Sequence, residues 1–393
     1  RTGTVDWQTG SIKTSTFTAA NGEGYFCNTS GGAFTANLPS SPAAGTIVSF
    51  KDYAQTFQTN NLTIGRGGSN IEGAPSDISL DGKSESLTLV YVDGTKGWLT
   101  INEATTPYGA EYIAATGGNS TATCGNFKIH VFTSPGTFCV SDAGNPAGSN
   151  TVDYLVVGGG GGAQDGGGGA GGMRISGGTA SGCYTVSPLG SSPSPVAALP
   201  VSVQGYSIVV GGGGAGYPGY NKGSVSTFST ITSGGGGAGN SAPAMPGASG
   251  GGKGGSNGAG GTGNTPPVSP AQGQDGGTSA GGPQSKGSGG GGAGAVGGTN
   301  NTGNPAAGAG GAGSYTAIYN HPSVGEPGPV GSVRYFSGGG GGGSCSPAGF
   351  AGSAGGVGGG GDGKANGPGG PVAHGGGQDG VINTGGGGAG VWW

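Results

Sequence analysis

The sequence predicts an all-β chain that continues into a glycine-built domain, with little or no α-helix. Three observations predict it. Short runs alternate apolar and polar residues between Asp-Gly and Gly turns, the period-two signature of half-buried strands. No window carries a helical period. Glycine makes up 107 of the 393 residues, roughly four times ordinary usage; 21 precede Thr151 and 86 follow it. Glycine loses the most backbone entropy on folding and has no side chain to bury. The second part is therefore either disordered or ordered by a backbone-only packing.

Residues 1–104 read as a compact β-module. Gly45–Tyr53 (GTIVSFKDY) alternates, as does Ser86–Val92 (SLTLVYV). The latter runs through Asp93-Gly94 into Gly97-Trp98-Leu99-Thr100-Ile101, a hairpin signature. Asn61–Ile64 and Ser69–Gly73 read as short strands, and Asp81-Gly82 as a further turn. About a hundred residues of short strands bury one modest core, and such modules often close it by oligomerising.

Residues 105–157 read as a β-segment leading into the glycine region. Phe127–Phe132 (FKIHVF), the turn Ser134-Pro135-Gly136 and Thr137–Val140 (TFCV) are expected to form a hairpin. Thr151–Val157 (TVDYLVV) follows as a buried strand. The five cysteines, Cys27, Cys124, Cys139, Cys183 and Cys345, contain no CxxC, so a zinc site is not expected. Cys124 and Cys139 flank the expected hairpin. A disulfide between them and two free thiols are both open.

From residue 158 to 393, glycine blocks recur at 166–169, 211–214, 234–237, 289–292, 338–343, 358–361 and 385–388, without a fixed period. Collagen needs strict Gly-X-Y and abundant proline, which these blocks break. Linkers lack aromatic anchors, whereas tyrosine, phenylalanine and tryptophan punctuate the runs. Val156-Val157-Gly158 superficially opens a dinucleotide loop, but no helix can follow Ala163-Gln164-Asp165. Gly82-Lys83-Ser84 lacks the first glycine of a P-loop, because Asp77 sits there. Calcium-repeat patterns ending at Asp165, Asp362 and Asp379 are broken at Ala163, Val357 and His374. The remaining reading is an array of polyproline II-type glycine helices. Such a helix has three residues per turn and no internal hydrogen bonds, so its N–H and C=O groups are free to bond laterally. The inserts between the blocks then become displayed loops.

Charge is sparse, 13 basic and 17 acidic residues for a net of −4. No basic patch of the kind nucleic-acid binders use is present, and no apolar stretch is long enough to span a membrane. A chain starting at Arg1 reads as trimmed or processed. His130, His321 and His374 stand in no catalytic motif, and there is no GxSxG, HExxH or paired-carboxylate cluster. The acids after residue 150 are Asp153, Asp165, Asp275, Glu326, Asp362 and Asp379. An enzyme is not expected, nor a cofactor or metal.

Two stretches carry a resemblance. Ala43–Tyr53, Asn60–Ile64, Gly68–Gly73 and Leu89–Trp98 resemble a β-module of tailed-phage tail fibres, including those of marine and cyanobacterial phages. Phe127–Phe132 with Pro135–Phe138, then Val152–Gly162, is similar to the start of the glycine-rich domain in phage virion and fibre proteins. The long glycine region resembles the polyglycine II tail-fibre tip adhesins of T-even-type phages, which display receptor-binding loops. The resemblance implies a viral structural protein of the virion, extracellular and homotrimeric. It would bind a host cell-surface glycan or outer-membrane protein and assemble with other tail proteins. Tyr217, Tyr220, Tyr315, Tyr319, Tyr335, Trp392 and Trp393 are the candidate contact residues, because aromatics stack on sugar rings and dominate binding surfaces. For each, anchoring the edge of the glycine layer is the competing role. A structural head fibre, decoration or filament protein is the alternative function.

Overall fold

The computed structural model describes residues 5–101, 111–145, 148–178, 187–191, 196–240, 243–281, 286–301, 306–331, 333–345, 352–366 and 376–391. It is nearly all β; the one helix among the described residues is α1, Pro188–Ser191. The chain divides into two compact units. The first comprises Arg1–Ala114 and Asp142–Asn150, the second Ala115–Ser141 and Thr151–Trp393. The described parts of 105–157 thus divide between the two units instead of forming a segment of their own.

The first unit contains β1 (Asp6–Trp7), β2 (Phe17–Thr18), β3 (Glu23–Cys27), β4 (Phe34–Asn37), β5 (Ile47–Asp52), β6 (Leu62–Gly65), β7 (Ile78–Leu80), β8 (Ser86–Asp93) and β9 (Gly97–Thr100). One sheet runs β1-β3-β5-β8-β9 and the other β2-β4-β6-β7. Through β6 each strand passes to the opposite sheet, and neighbours within a sheet are parallel. The chain therefore coils, each crossover being a strand of the other sheet. It then reverses: β7 lies antiparallel to β6 and β8 to β5, and the expected hairpin at Asp93-Gly94 joins β8 to β9. Leu38, Val48, Phe50, Leu62, Ile64, Leu80, Leu87, Leu89 and Trp98 are among the buried residues that fill the space between the sheets.

Two buried polar groups are built into this core. The Asp52 carboxylate accepts from the N–H groups of Thr56, Phe57 and Ser84 at 3.2, 3.3 and 3.1 Å, tying two turns to the end of β5. Cys27 is fully buried and reduced. Desolvation pushes its thiol up to about 12, opposed by Lys13 and assisted by Asp52.

The second unit opens within β10 (Ile113–Thr116), at Ala115, and continues through β11 (Ser120–Cys124), β12 (Phe127–Val131) and β13 (Gly136–Ala143) as far as Ser141. The expected hairpin between Phe127–Phe132 and Thr137–Val140 is not formed. β12 folds back on β11, with Cys124 opposite Phe127 across Gly125-Asn126. Gly125 sits at φ 57°, and a two-residue loop led by glycine matches the twist of a hairpin. Of the two states left open for Cys124 and Cys139, the free thiols are found. Cys124 lies at that hairpin's tip, whereas Cys139 is on β13 opposite Gly205; both are exposed and reduced.

After β14 (Thr151–Val152), β15 (Leu155–Val157), β16 (Met173–Ile175) and β17 (Leu199–Pro200) come β18 (Gln204–Val209), β19 (Ser226–Phe228) and β20 (Ile231–Ser233). A sheet of order β10-β13-β18-β19-β20 results. Phe138 and Tyr206 face one another on β13 and β18, and Phe228 lies 5.8 and 5.9 Å from their rings. Two small sheets follow: β21 (Ser314–Thr316), β22 (Glu326–Pro327) and β23 (Arg334–Phe336), in the order β21-β23-β22, and the parallel pair β24 (Ser344–Cys345) and β25 (Ala365–Asn366).

Between these strands run the glycine segments, and their hydrogen bonds have a period of three. Gly158 and Gly161 donate to Gly172 and Gly169 at 3.0 and 2.8 Å, while Gly159 and Gly162 donate to Ser224 and Asn221 at 3.0 and 2.9 Å. Segment 166–172 shows the full pattern. Gly167 and Ala170 donate to Ser288 and Gly291, Gly168 and Gly171 to Gly388 and Gly385, and Gly169 and Gly172 to Gly237 and Gly234. Its carbonyls accept from Gly158 and Gly161, from Ser249 and Gly252, and from Gly340. One segment thus bonds six neighbours, three as donor and three as acceptor. A repeat of three is that of a polyproline II helix.

Close approach is what demands glycine here. Within 158–162 and 166–172 no glycine has positive φ. Yet a Cβ on Gly160, Gly167 or Gly168 would fall within 3.0 Å of the carbonyl oxygen of Gly386, Gly340 or Gly161. The backbones pack directly on each other.

Candidate functional site

The registers place the described turns of the glycine array at two ends. Ala163–Asp165 reverses the chain between 158–162 and 166–172. The Gly343 N–H donates to Asp165 at 3.0 Å and the Ser288 N–H to Lys253 at 2.9 Å, placing Lys253, Gly287 and Gly343 at the same end as Asp165. The turn 215–220 joins them, since Gly162 donates to Asn221. The opposite end is where β15 and β16 abut Gly158 and Gly172, and where 314–336 is inserted. Met173, Ile175, Ala293 and Phe336 close that end, with Leu155, Val157, Leu189 and Val324 against them. One end thus combines strands and an apolar cap with the turns around Gln272, Ala293 and Asn383, and the other, the turn end, combines the turns at Ala163–Asp165 and 215–220 with the short strand pair that begins at Ser344.

This division separates the candidate tyrosines. Tyr217 and Tyr220 lie at the turn end. Gly219 and Tyr220 donate to the Gly216 carbonyl at 2.8 and 3.3 Å, closing a tight loop, and Tyr220 takes φ 38°. The two rings are 5.8 Å apart and tilted by 52°. Tyr217 is 48% exposed, and Tyr220 is half-buried. Asn221 and Lys222 continue this exposed surface.

Tyr315, Tyr319 and Tyr335 lie at the strand-capped end. Tyr335 is buried, its ring 5.4 Å from that of half-buried Tyr315. Phe336, the next residue of β23, enters the apolar cap, so Tyr335 lies on the opposite face of the strand, packed on Tyr315 in the anchoring role. Tyr319 stacks on His321 at 5.4 Å with an interplanar angle of 15°. Trp392 and Trp393 lie outside the described residues.

Polar residues missed by the aromatic criterion occupy the turn end. Ser256 and Asn257 are exposed, and Ser256 accepts from the Lys253 ammonium at 2.7 Å. Beneath them Asp165, Lys253, Lys286, Ser288 and Asn300 are buried. Burial pulls the Lys253 ammonium below its ordinary value, and Asp165 opposes that shift. The Asn300 amide donates to Ser279 at 3.2 Å and to the Lys286 carbonyl, holding two turns together. The available signal was Lys253-Gly254-Gly255-Ser256-Asn257, polar side chains between glycine blocks.

Four of the acids after residue 150 hold structure. Asp153 accepts from the Ser176 hydroxyl at 2.7 Å, Asp275 from Gly263 N–H at 2.6 Å and Asp362 from Gly355 N–H at 2.8 Å. Glu326 accepts from Gly358 and Gly359 N–H at 2.7 and 2.6 Å. Among the described residues no three His, Cys, Asp or Glu side chains are grouped to hold a metal ion. No helix among them is long and apolar enough to cross a membrane.

No family model matches the chain, and no curated protein matches it.

Proposed function

We propose that this chain is a tail-fibre adhesin subunit of a phage virion, acting outside the host cell. Its glycine segments are polyproline II-type helices packed into a rigid scaffold, and the turns at one end of that scaffold bind a receptor on the host surface. One observation carries this reading: the end of the array away from the apolar cap presents Tyr217, Asn221, Lys222, Ser256 and Asn257 exposed on its turns, with Tyr220 half-buried beside Tyr217. Gathering loops on a rigid frame is how binding surfaces are commonly presented. An exposed tyrosine pair with nearby amides and hydroxyls suits a cell-surface glycan or a polar loop of an outer-membrane protein. The first unit would serve as shaft or attachment to other tail proteins, with no catalytic step.

The experiment is host-cell binding by the purified chain. Saturable binding is expected, and replacing 217–220 with Gly-Ser-Gly-Ser should abolish it. Replacing 318–321, at the capped end, should leave it intact. Absence of saturable binding to any susceptible host would overturn the proposal.

A further inference from the structure

The fold sorts the cations of the glycine array by type. Beyond residue 150 the sequence holds four lysines, Lys222, Lys253, Lys286 and Lys364, too far apart to form a basic run. The registers bring all four to the turn end. Lys222 follows Asn221, whose carbonyl accepts from Gly162, and the Lys253 carbonyl accepts from Ser288. Lys286 precedes Gly287, whose N–H donates to Gly343 at 2.8 Å, and Gly343 in turn donates to Asp165. The Lys364 carbonyl accepts at 3.3 Å from Ser344, one residue beyond Gly343. The two arginines of the same stretch lie at the capped end, Arg174 on β16 and Arg334 on β23. The Arg334 guanidinium is engaged there, donating to the Val324 and Gly325 carbonyls at 2.9 and 2.6 Å.

The carboxylates are buried or set back. Asp165 is buried, and its charge acts on Lys253. Asp275 and Asp362 lie two residues behind Gly277, which accepts from Lys253, and behind Lys364. Both already accept from backbone, from Gly263 and Gly355 N–H. Asp379 lies behind Gln378, whose carbonyl accepts from Ala389. A ligand reaching the end therefore meets ammoniums first. Lys253 and Lys286 are buried beneath that surface, where salt screens charge less. Lys222 and Lys364 are exposed, and neither ammonium has an ion pair or hydrogen bond among the described residues. Lys222 also adjoins the tyrosine pair. The Asn221 N–H donates to the Ala215 carbonyl at 2.9 Å, closing the turn that carries Tyr217 and Tyr220.

We propose that the ligand of this end is an anionic glycan, a polysaccharide whose sugars carry carboxylate or phosphate groups. The inference rests on the adhesin reading above and names its ligand class. A sugar ring lies on the tyrosine pair through its apolar face, and the acid group of that sugar or its neighbour pairs with Lys222. An ammonium is a compact point charge without the two-pronged geometry of a guanidinium, so the end selects for charge and not for one planar acid. Exposed pairs of this kind are weak singly and screened by salt. A polymer with repeating charge gains by engaging Lys222 and Lys364 together. A neutral glycan leaves both without a partner.

Retention of the purified full chain on immobilised polyuronate, phosphomannan and dextran tests it. At least one of the two polyanions should be bound, and which one tells carboxylate from phosphate. Raising ionic strength from about 0.01 M to about 0.1 M, which shortens the Debye length from about 30 to about 10 Å, should weaken that binding at least tenfold. Lys222→Glu should do the same with circular dichroism and Tm unchanged, and Lys222→Arg should keep most of the affinity. Lys128→Gln, at an exposed lysine on β12, should have no effect. Dextran held as tightly as the polyanions, neither polyanion retained, affinity unmoved by Lys222→Glu, or cell binding abolished by protease treatment of the host surface would each overturn the proposal. Saturable cell binding alongside any of those results leaves the adhesin reading standing, whereas its absence removes that reading, so the two failures are distinguishable.

Discussion

A Cβ placed on Gly167 would fall within 3.0 Å of the carbonyl oxygen of Gly340. The two segments hydrogen-bond through Gly340 N–H and Gly168 at 2.9 Å, so the methyl group cannot be accommodated without pushing the segments apart. Gly167→Ala should cost about 1–3 kcal/mol or more, the usual range for overpacking. Gly10→Ala, where nothing lies within 4 Å and φ is not positive, should change stability by less than about 1 kcal/mol. Denaturant midpoints of the two variants measure the contrast, and equal effects would refute backbone crowding as the reason for glycine.

Asp52 should be among the costliest polar residues to lose in the first unit. Asp52→Ala leaves the N–H groups of Thr56, Phe57 and Ser84 without their acceptor beside fully buried Phe57. A loss of about 2 kcal/mol is expected, within the usual penalty for an orphaned buried donor. Thermal unfolding with a probe in the first unit reads it.

Alkaline pH should destabilise the first unit through Cys27 and Tyr25. The Cys27 thiol rises from 9.0 to about 12, chiefly by desolvation. The Tyr25 hydroxyl rises from 10.0 to about 12 by burial and its hydrogen bond to Glu23. Both groups keep their protons in the folded chain at pH values where the unfolded chain loses them. Their contribution is complete below about pH 9 and is lost as pH rises toward 12. Urea midpoints across that window should fall less steeply in a Tyr25→Phe/Cys27→Ala double variant. At pH 8, maleimide should label Cys124 and Cys139, which are exposed, and spare Cys27.

Tyr217 and Tyr335 should separate binding from packing. Tyr217→Ala is expected to lower host-cell binding at least tenfold while leaving Tm within about 1 °C. Tyr335→Ala, at a buried position, should cost about 3 kcal/mol, near the lower end for large aromatic truncations, with affinity of the folded fraction unchanged. Binding isotherms and melting curves on both variants decide this.

Much of the first unit was legible because its strands alternate, as in Ile47–Asp52, and because Asp93-Gly94 announces a hairpin. Its coiling was not. Parallel partners such as Asp6, Glu23 and Val48 are unevenly spaced along the chain, and local pattern carries no record of such pairings. No hairpin forms across Ser134-Pro135-Gly136, because Gly125-Asn126 gives Phe127–Val131 a two-residue loop back onto Ser120–Cys124. The inserts around Tyr206, Phe228 and Tyr335 were recognisable as anchored pieces. Which end of the array each occupies was hidden, because glycine runs have no sequence feature that records direction or partner. Tyr217 and Tyr335 look alike in sequence, and only the register of Gly162 with Asn221 sets the former among the turns.

The six-neighbour bonding of segment 166–172 also bears on heat. Unfolding an ordinary core hydrates apolar surface and raises the heat capacity, whereas hydrating peptide groups lowers it. A lattice whose interior is mostly backbone exposes far more of the second kind. The second unit should therefore unfold with a heat-capacity increment well below the ordinary value per residue. Its stability would then vary little between cold and warm surroundings, and calorimetry would find a broad, shallow curve in place of the usual dome.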